Sequence, residues 1–277
     1  MKFTDKHTRQ FAIMYATIFI VVAGWYLYHR LSFTQIAPVF FVPKPDITGH
    51  FIFATGLQQA LVVHSWLRLL FDVLFYSLTP LLICCFIKKR KLTIALAWLS
   101  FIFNIFYCYL LSCMSFVSKE PFIAWMLFPL MFTGFQTKGF YFKLHILRIL
   151  FILFFATAGL WKLRGGGAFN VEQFSGILLH QYATVLSSGE AGWFVQLIKY
   201  LINHTLLSFV LYWLVILAEL LFLIGLFTKK YDKLLLWILI GFIVFDYFLM
   251  EINYFSWLPF SLLFYFSKYS IPDLKEE

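Results

Sequence analysis

Long apolar runs separated by short polar segments dominate this chain. A helix needs about 20 mostly apolar residues to cross the hydrocarbon core of a bilayer. Runs near that length predict spans at residues 11–28, 66–87, 92–116, 122–137, 145–163, 205–227 and 234–250, with a further apolar piece at 254–267. The run at 122–137 is short and carries Pro129. The pattern predicts an all-α polytopic membrane helix bundle of about seven or eight transmembrane helices.

Composition supports a lipid environment. Of the 277 residues, 62% are hydrophobic and 13% are charged, whereas a soluble domain carries about 25% charged residues. The lipid bilayer is therefore the expected partner. The net charge of +9 does not indicate nucleic acid, because the basic residues lie at predicted helix ends, where they meet anionic lipid. We expect a single integral membrane domain over 1–277, with N-terminal helices at 1–140 and a core at 141–270.

The basic residues also predict an orientation. They form four groups, at Lys2, Lys6 and Arg9, at residues 88–91, at Lys138, Lys143 and Arg148, and at Lys229, Lys230 and Lys233. If every span crosses once, all four groups fall on one side, which the positive-inside rule makes cytoplasmic. We therefore predict a bacterial inner-membrane protein with a cytoplasmic N-terminus. Loops 29–65, 117–121 and 164–204 then lie outside, and segments 51–64 and 165–204 read as interfacial helices.

Ionisable residues inside spans are costly and therefore informative. Arg68 and Asp72 are four residues apart on one helix face, a spacing that predicts a structural ion pair. Glu219 has no basic residue three or four positions away, so its partner must come from another helix. Asp246 falls near the middle of its span, and Glu251 lies closer to the predicted outer surface. Two acids in one apolar run indicate a polar cavity between helices.

Lys162 ends the fifth predicted span, and three glycines at 165–167 follow as a flexible helix exit. An ordinary lysine here would extend its ammonium to water along the interface. His180, His204 and Glu251 are predicted at the same level, however, and a lysine in a partly dry pocket can act as a base. The alternatives remain open from the residues alone. No spacing typical of a metal site is present.

The stretch Ala158-Gly159-Leu160-Trp161-Lys162-Leu163 resembles a motif of the bacterial HTTM proteins and the membrane part of vitamin K-dependent gamma-carboxylases. In that family the lysine is assigned as the base that deprotonates vitamin K hydroquinone. The later runs LVILAELLFLIGLFTKK and FLMEINYFSWLPFSLLFYF are also similar to family helices. The second half is equally similar to DoxX/MauE-type membrane proteins, which are mostly linked to quinone or thiol redox systems.

The resemblance implies an enzyme that acts on a quinol or another lipophilic substrate, with a quinone or vitamin K hydroquinone as the expected cofactor. The expected catalytic residues are Lys162 as base, with Glu219, Asp246 and Glu251 tuning charge or relaying protons. Trp161, His180 and His204 are expected to bind substrate. Two other classes stay open: a non-catalytic subunit that binds a partner membrane protein, and a small-molecule or proton-coupled transporter.

Overall fold

The computed structural model describes residues 3–37, 39–42, 46–88, 91–114, 122–133, 136–189 and 192–269. Its α-helices are α1 (Asp5–Tyr28), α2 (Ile47–Thr55), α3 (Leu57–Val63), α4 (Ser65–Ile87), α5 (Thr93–Met114), α6 (Phe122–Trp125), α7 (Phe128–Thr133), α8 (Thr137–Arg164), α9 (Gln173–Gln181), α10 (Ala183–Ser187), α11 (Trp193–Asn203), α12 (Thr205–Leu221), α13 (Ile224–Phe227), α14 (Asp232–Met250) and α15 (Ser261–Phe266). Turns of 3₁₀ helix occupy Phe33–Gln35, Gly167–Phe169 and Phe255–Phe260. The described residues contain no β-strand. Lys2, Lys89, Arg90 and loop 117–121 lie outside these ranges.

The chain divides into two compact units. Unit 1 comprises residues 1–147 and 255–277, and unit 2 comprises residues 148–254. Among the described residues, six helices are long and apolar enough to cross a membrane: Asp5–Gln35, Ser65–Ile87, Thr93–Met114, Thr137–Arg164, Thr205–Phe227 and Asp232–Met250. The predicted class, a polytopic membrane bundle built from α-helices, is therefore confirmed. The predicted span at 122–137 and the further apolar piece at 254–267 form short helical segments instead of one long helix.

The run at 122–137 is broken into α6 and α7 because of Pro129. A proline ring collides with the carbonyl four residues earlier, which belongs to Trp125, and α6 ends at that residue. The break leaves polar backbone without a helical partner, which lipid does not tolerate. The protein buries it: Ala124, Met126 and Leu130 are fully covered. The hydroxyl of Tyr15 on α1 donates to the carbonyl of Ile123 at 2.9 Å.

These broken helices carry the chain back across unit 1. The Thr137 hydroxyl at the start of α8 donates to Asp5 at the start of α1. On α7, the Phe132 ring meets Trp98, near the start of α5, with ring centroids 5.1 Å apart. The starts of α1, α5 and α8 therefore share one end of unit 1. The chain therefore reverses its direction between α5 and α8.

The apolar piece at 254–267 likewise forms no spanning helix. Pro259 lies within its 3₁₀ turn, and the helix α15 that follows is six residues long. Both parts pack against α1. Phe255 stacks on Trp25 with ring centroids 4.0 Å apart, and Phe266 meets Phe11 at 5.7 Å. The segment completes the core of unit 1.

Asp72 in unit 1 is bound differently from the prediction. Its carboxylate accepts hydrogen bonds from the Phe33 and Thr34 amides at 3.0 and 2.9 Å, and from the Thr34 and Tyr107 hydroxyls at 2.6 Å each. No salt bridge joins it to Arg68, although both residues are described, and the buried Nε of Arg68 has no hydrogen-bond partner. The helical spacing that allows a pair does not enforce one, because a loop that presents two amides satisfies the carboxylate better.

One buried guanidinium joins three elements of unit 2. Arg148 on α8, 2% exposed, donates from Nε to Asp232 Oδ2 at 2.7 Å and from a terminal nitrogen to Asp232 Oδ1. The same nitrogen donates to the Gly225 carbonyl of α13 at 2.9 Å. Glycine allows this close packing, because an added Cβ would lie 2.7 Å from the end of the Ile152 side chain and would force it to shift. Arg148, predicted as an interfacial charge, is instead a buried connection.

The segment predicted as interfacial, 165–204, forms α9, α10 and α11. They pack with α12 and the end of α14 around a core that includes Phe174, Leu178 and Ile216. The Tyr182 hydroxyl donates to the last-turn carbonyl of Leu249 on α14 at 2.9 Å. Burial, and secondarily the charge of Glu251, raises the pKa of Tyr182 to about 12. Tyr182 therefore keeps the proton that this hydrogen bond needs.

The hydrogen bonds of Asp72 predict a contrast between two substitutions. Asp72→Ala leaves two amides and a buried phenol without their acceptor, at about 1–3 kcal/mol each, so we expect a loss of about 3 kcal/mol or more in unfolding free energy. Arg68→Met should cost less than about 1 kcal/mol. Denaturant unfolding in mixed micelles measures both. Equal losses of unfolding free energy in the two variants would contradict the described hydrogen bonds of Asp72 and favour the predicted ion pair with Arg68.

A second contrast tests the Arg148 connection. Arg148→Met removes the guanidinium that bonds to both oxygens of the buried Asp232 carboxylate, which costs about 3–5 kcal/mol. The double variant Arg148→Met/Asp232→Leu should recover most of that loss. Lys143→Met on the same helix is the matched control and should change the unfolding free energy by less than about 1 kcal/mol. A double variant no more stable than Arg148→Met would contradict this account.

Candidate functional site

Lys162 lies in the last turn of α8, and the glycines after it end the helix as predicted. The Gly165 amide donates to the Trp161 carbonyl at 2.8 Å. Gly166 then adopts a left-handed conformation with φ of 75°, which a residue with a side chain rarely adopts. The backbone turns away at this point. The ammonium of Lys162 is thereby left beside the helix bundle rather than beyond it.

Lys162 contacts a buried acid on another helix. Its Nζ donates to Glu219 Oε1 on α12 and forms a salt bridge with it. The side chain of Lys162 is 27% exposed, whereas that of Glu219 is 1% exposed. The two helices run antiparallel, and each side chain leans toward the N-terminus of its own helix. The side chains of Lys162 and Glu219 therefore approach each other. Lys162 therefore does more than extend its ammonium to water along the interface, because it also forms this ion pair.

Gly159 sets the distance between α8 and α12 at this level. A Cβ added there would lie 3.1 Å from Leu220 Cγ and 3.3 Å from Glu219 Cβ. A larger residue would therefore force the helices apart, one turn below Lys162. The Ala-Gly-Leu-Trp-Lys-Leu motif thus combines a helix contact with the lysine that the contact positions.

Only one oxygen of the Glu219 carboxylate has a hydrogen-bond partner among the described residues. Its second oxygen, Oε2, is buried and has no hydrogen-bond partner among the described residues. Asp246 on α14 is 8% exposed and lies within electrostatic range of both Lys162 and Glu219. Tyr212, about two helix turns before Glu219 on α12, also interacts electrostatically with it. The site thus contains one cation, two acids and an unsatisfied acceptor.

An apolar groove lies between α12 and α14, and neither Glu219 nor Asp246 is among its lining residues. It has a volume of about 310 Å³, and Val215, Ala218, Phe242 and Phe245 contribute to its walls. Gly241 forms part of it, and an added Cβ there would meet no atom within 4 Å. Glu219 directly follows Ala218, and Asp246 directly follows Phe245. The groove is large enough for part of a small lipophilic molecule.

Two predicted substrate-binding residues lie on the surface of unit 2. Trp161 is 63% exposed, and the Arg164 guanidinium lies over its ring at 4.7 Å. His180 is exposed on α9 and lines a separate polar pocket with Glu172, Gln173 and other residues. The structure shows neither in contact with Lys162 or Glu219. Their roles stay predictions.

The remaining two predicted residues lie at helix ends. His204 precedes α12, stacks on Tyr200 with ring centroids 3.9 Å apart, and bonds through Nδ1 to the Tyr200 carbonyl at 2.8 Å. Since a carbonyl only accepts, Nδ1 carries the proton. Glu251 ends α14 in a left-handed conformation with φ of 53° and is exposed. The structure brings Lys162, Glu219 and Asp246 together and leaves Glu251 at the margin.

Three features of the site were not predicted from the sequence. They are the position of Gly159 against α12, the electrostatic contact of Tyr212 with Glu219, and the connection from Arg148 to Asp232. An arginine four residues into an apolar run was the available signal for the last. The described residues contain no group of three or more His, Cys, Asp or Glu that could hold a metal ion.

Comparison with models of known protein families, with characterised proteins and with solved structures found no match for this chain. The fold defines a class: an integral membrane protein with six apolar helices among its described residues and a partly buried Lys–Glu pair. The resemblance to the carboxylase-like and DoxX-like families stays a prediction.

The tight contact at Gly159 makes a prediction about Lys162. Gly159→Leu should separate α8 from α12, cost about 1–3 kcal/mol by overpacking, and break the pair. Lys162 should then react faster with a water-soluble amine-modifying reagent, as measured by mass spectrometry of its peptide. The control is Gly24→Leu on α1, where an added Cβ meets nothing within 4 Å. Unchanged labelling of Lys162 in Gly159→Leu would show that this contact does not position it.

Proposed function

We propose that unit 2 exchanges a proton with a lipophilic hydroxyl compound, such as a quinol, that reaches it from the bilayer. The observation that carries the proposal is the Lys162–Glu219 pair, whose free Glu219 oxygen is buried and without a partner. A buried acceptor left unsatisfied costs about 1–3 kcal/mol or more. A bound hydroxyl group would remove that cost.

The pair can accept a proton in two steps that balance. Lys162 first passes a proton to Glu219, so that ammonium and carboxylate become amine and carboxylic acid. The amine then takes the hydroxyl proton of the substrate, which leaves an oxyanion beside the restored ammonium. Dry surroundings assist the first step because they disfavour the two ions more than the two neutral groups. Lys162 is the base and Glu219 the group that holds its proton.

The groove between α12 and α14 supplies access for an apolar substrate. Its described walls are apolar, and on each helix one wall residue, Ala218 or Phe245, directly precedes an acid of the site in sequence. A hydrocarbon body would lie along Phe242 and Phe245 while the hydroxyl approaches Glu219. We place the protein in a bacterial inner membrane with a cytoplasmic N-terminus, which puts Lys162 near the outer face. A quinone or vitamin K hydroquinone is the expected cofactor class.

The resemblance of residues 158–163 to the carboxylase-like and DoxX-like families supports quinone chemistry in particular. A role as a subunit for a partner membrane protein, or as a transporter, would give the Lys162–Glu219 pair a structural or ion-conducting task instead. Neither alternative accounts for a buried Glu219 oxygen that has no hydrogen-bond partner among the described residues. Binding of a quinol therefore separates the three.

The test uses the full chain in lipid nanodiscs and a naphthoquinol with a short isoprenoid tail as probe. Binding is followed by native mass spectrometry and by quenching of tryptophan fluorescence. Loss of one hydrogen bond to a charged group costs about 1.5–3 kcal/mol, so Lys162→Met and Glu219→Gln should each weaken binding about 10–150-fold. Gly241→Leu should also block binding, because it fills the groove.

Gly24→Leu is the matched control and should bind as the original chain does. Folding of each variant is checked by its unfolding midpoint. A chain that does not bind the probe, or whose binding ignores both Lys162→Met and Gly241→Leu, would contradict the proposal. Binding that only Gly241→Leu abolishes would assign the groove to a lipid and leave the ion pair with a structural role.

A further inference from the structure

The charges of the site do not balance if every group is ionised. Lys162 contributes one positive charge, whereas Glu219 and Asp246 would contribute two negative charges. All three lie on helices long and apolar enough to span a membrane, and both acids are buried. An uncompensated charge in such surroundings is very costly, and a carboxylate removes the cost by binding a proton.

The contacts distinguish the two acids. Glu219 has Lys162 in direct contact, and that contact stabilises its anion. The Asp246 side chain makes no hydrogen bond or ion pair with any described residue, although Lys162 and Glu219 act on it at longer range. Tyr212 also lies in the field of Glu219, and a phenol is neutral at physiological pH.

We propose that Asp246 carries a carboxyl proton in the resting state, so that the group of Lys162, Glu219 and Asp246 is neutral as a whole. The number of carboxyl protons then equals the number of acids minus the number of ammonium groups. This charge count stands without any substrate. Its use as a proton store rests on the proposed function: Asp246 can give its proton to Glu219, and carboxylic acid and carboxylate simply exchange places.

Infrared spectroscopy counts these protons directly, since a protonated carboxyl has a carbonyl band that a carboxylate lacks. The experiment uses the full chain in lipid at neutral pH, with and without ¹³C label in the aspartate carboxyl. The band should shift with aspartate label and vanish in Asp246→Asn. It should also vanish in Glu219→Gln, because Asp246 then becomes the counter-ion of Lys162. Lys162→Met should add a second band.

Glu172→Gln removes an exposed acid elsewhere in unit 2 and should leave the band unchanged. A chain without the band, or a band that follows glutamate label instead, would overturn the proposal. A band that survives in Glu219→Gln would show that Asp246 is neutral for reasons unrelated to the ion pair, which also overturns it. If Lys162→Met does not fold, the isotope label and Asp246→Asn still decide. Quinol binding is not measured here, so failure of the proposed function would be seen separately.

Discussion

The organisation of unit 2 depends on one buried guanidinium. Arg148 binds Asp232 through two nitrogens and the Gly225 carbonyl through one of them, so it fixes the start of α14 and the end of α13 against α8. Fourteen residues further along α8 is Lys162, about 21 Å away at the helical rise. Asp246 lies the same number of residues beyond Asp232 on α14. Equal lengths of helix measured from one fixed point bring the cation and the acid to the same level.

Glycine serves this arrangement in two opposite ways. At Gly159 and Gly225 neighbouring side chains lie so close that an added Cβ would collide or press on them. Gly159 lets α8 pack closely on α12 near Lys162, and Gly225 lets α13 pack closely on α8 near Arg148. At Gly241 the same added atom would meet nothing within 4 Å. The first kind of glycine brings helices together, and the second leaves room beside them.

The sequence predicts those features of the fold that depend on the length and polarity of its apolar runs. The predicted spans 66–87, 205–227 and 234–250 agree closely with the helices, because a long apolar run in lipid has few alternatives to an α-helix. It also indicates that Glu219 needs a partner from another helix. It could not name that partner, since nothing local to Glu219 encodes which face of α8 it meets. For Asp72 the local spacing to Arg68 was misleading, because the competing amides come from a loop nearly forty residues away in sequence. The roles of Glu251, Trp161, His180 and His204 are not tested by the geometry.

The interruption at Pro129 has a consequence for how the protein is made. The two helices α6 and α7 have four and six residues, and neither forms enough internal hydrogen bonds to enter lipid alone. Their exposed carbonyls become tolerable only beside α1, where the Tyr15 hydroxyl covers one of them. We therefore expect this segment to enter the membrane after α1, because α1 supplies a hydrogen-bond donor that the broken helices lack. The orientation of α8 should then depend on that assembly step as well as on the hydrophobicity of the segment itself.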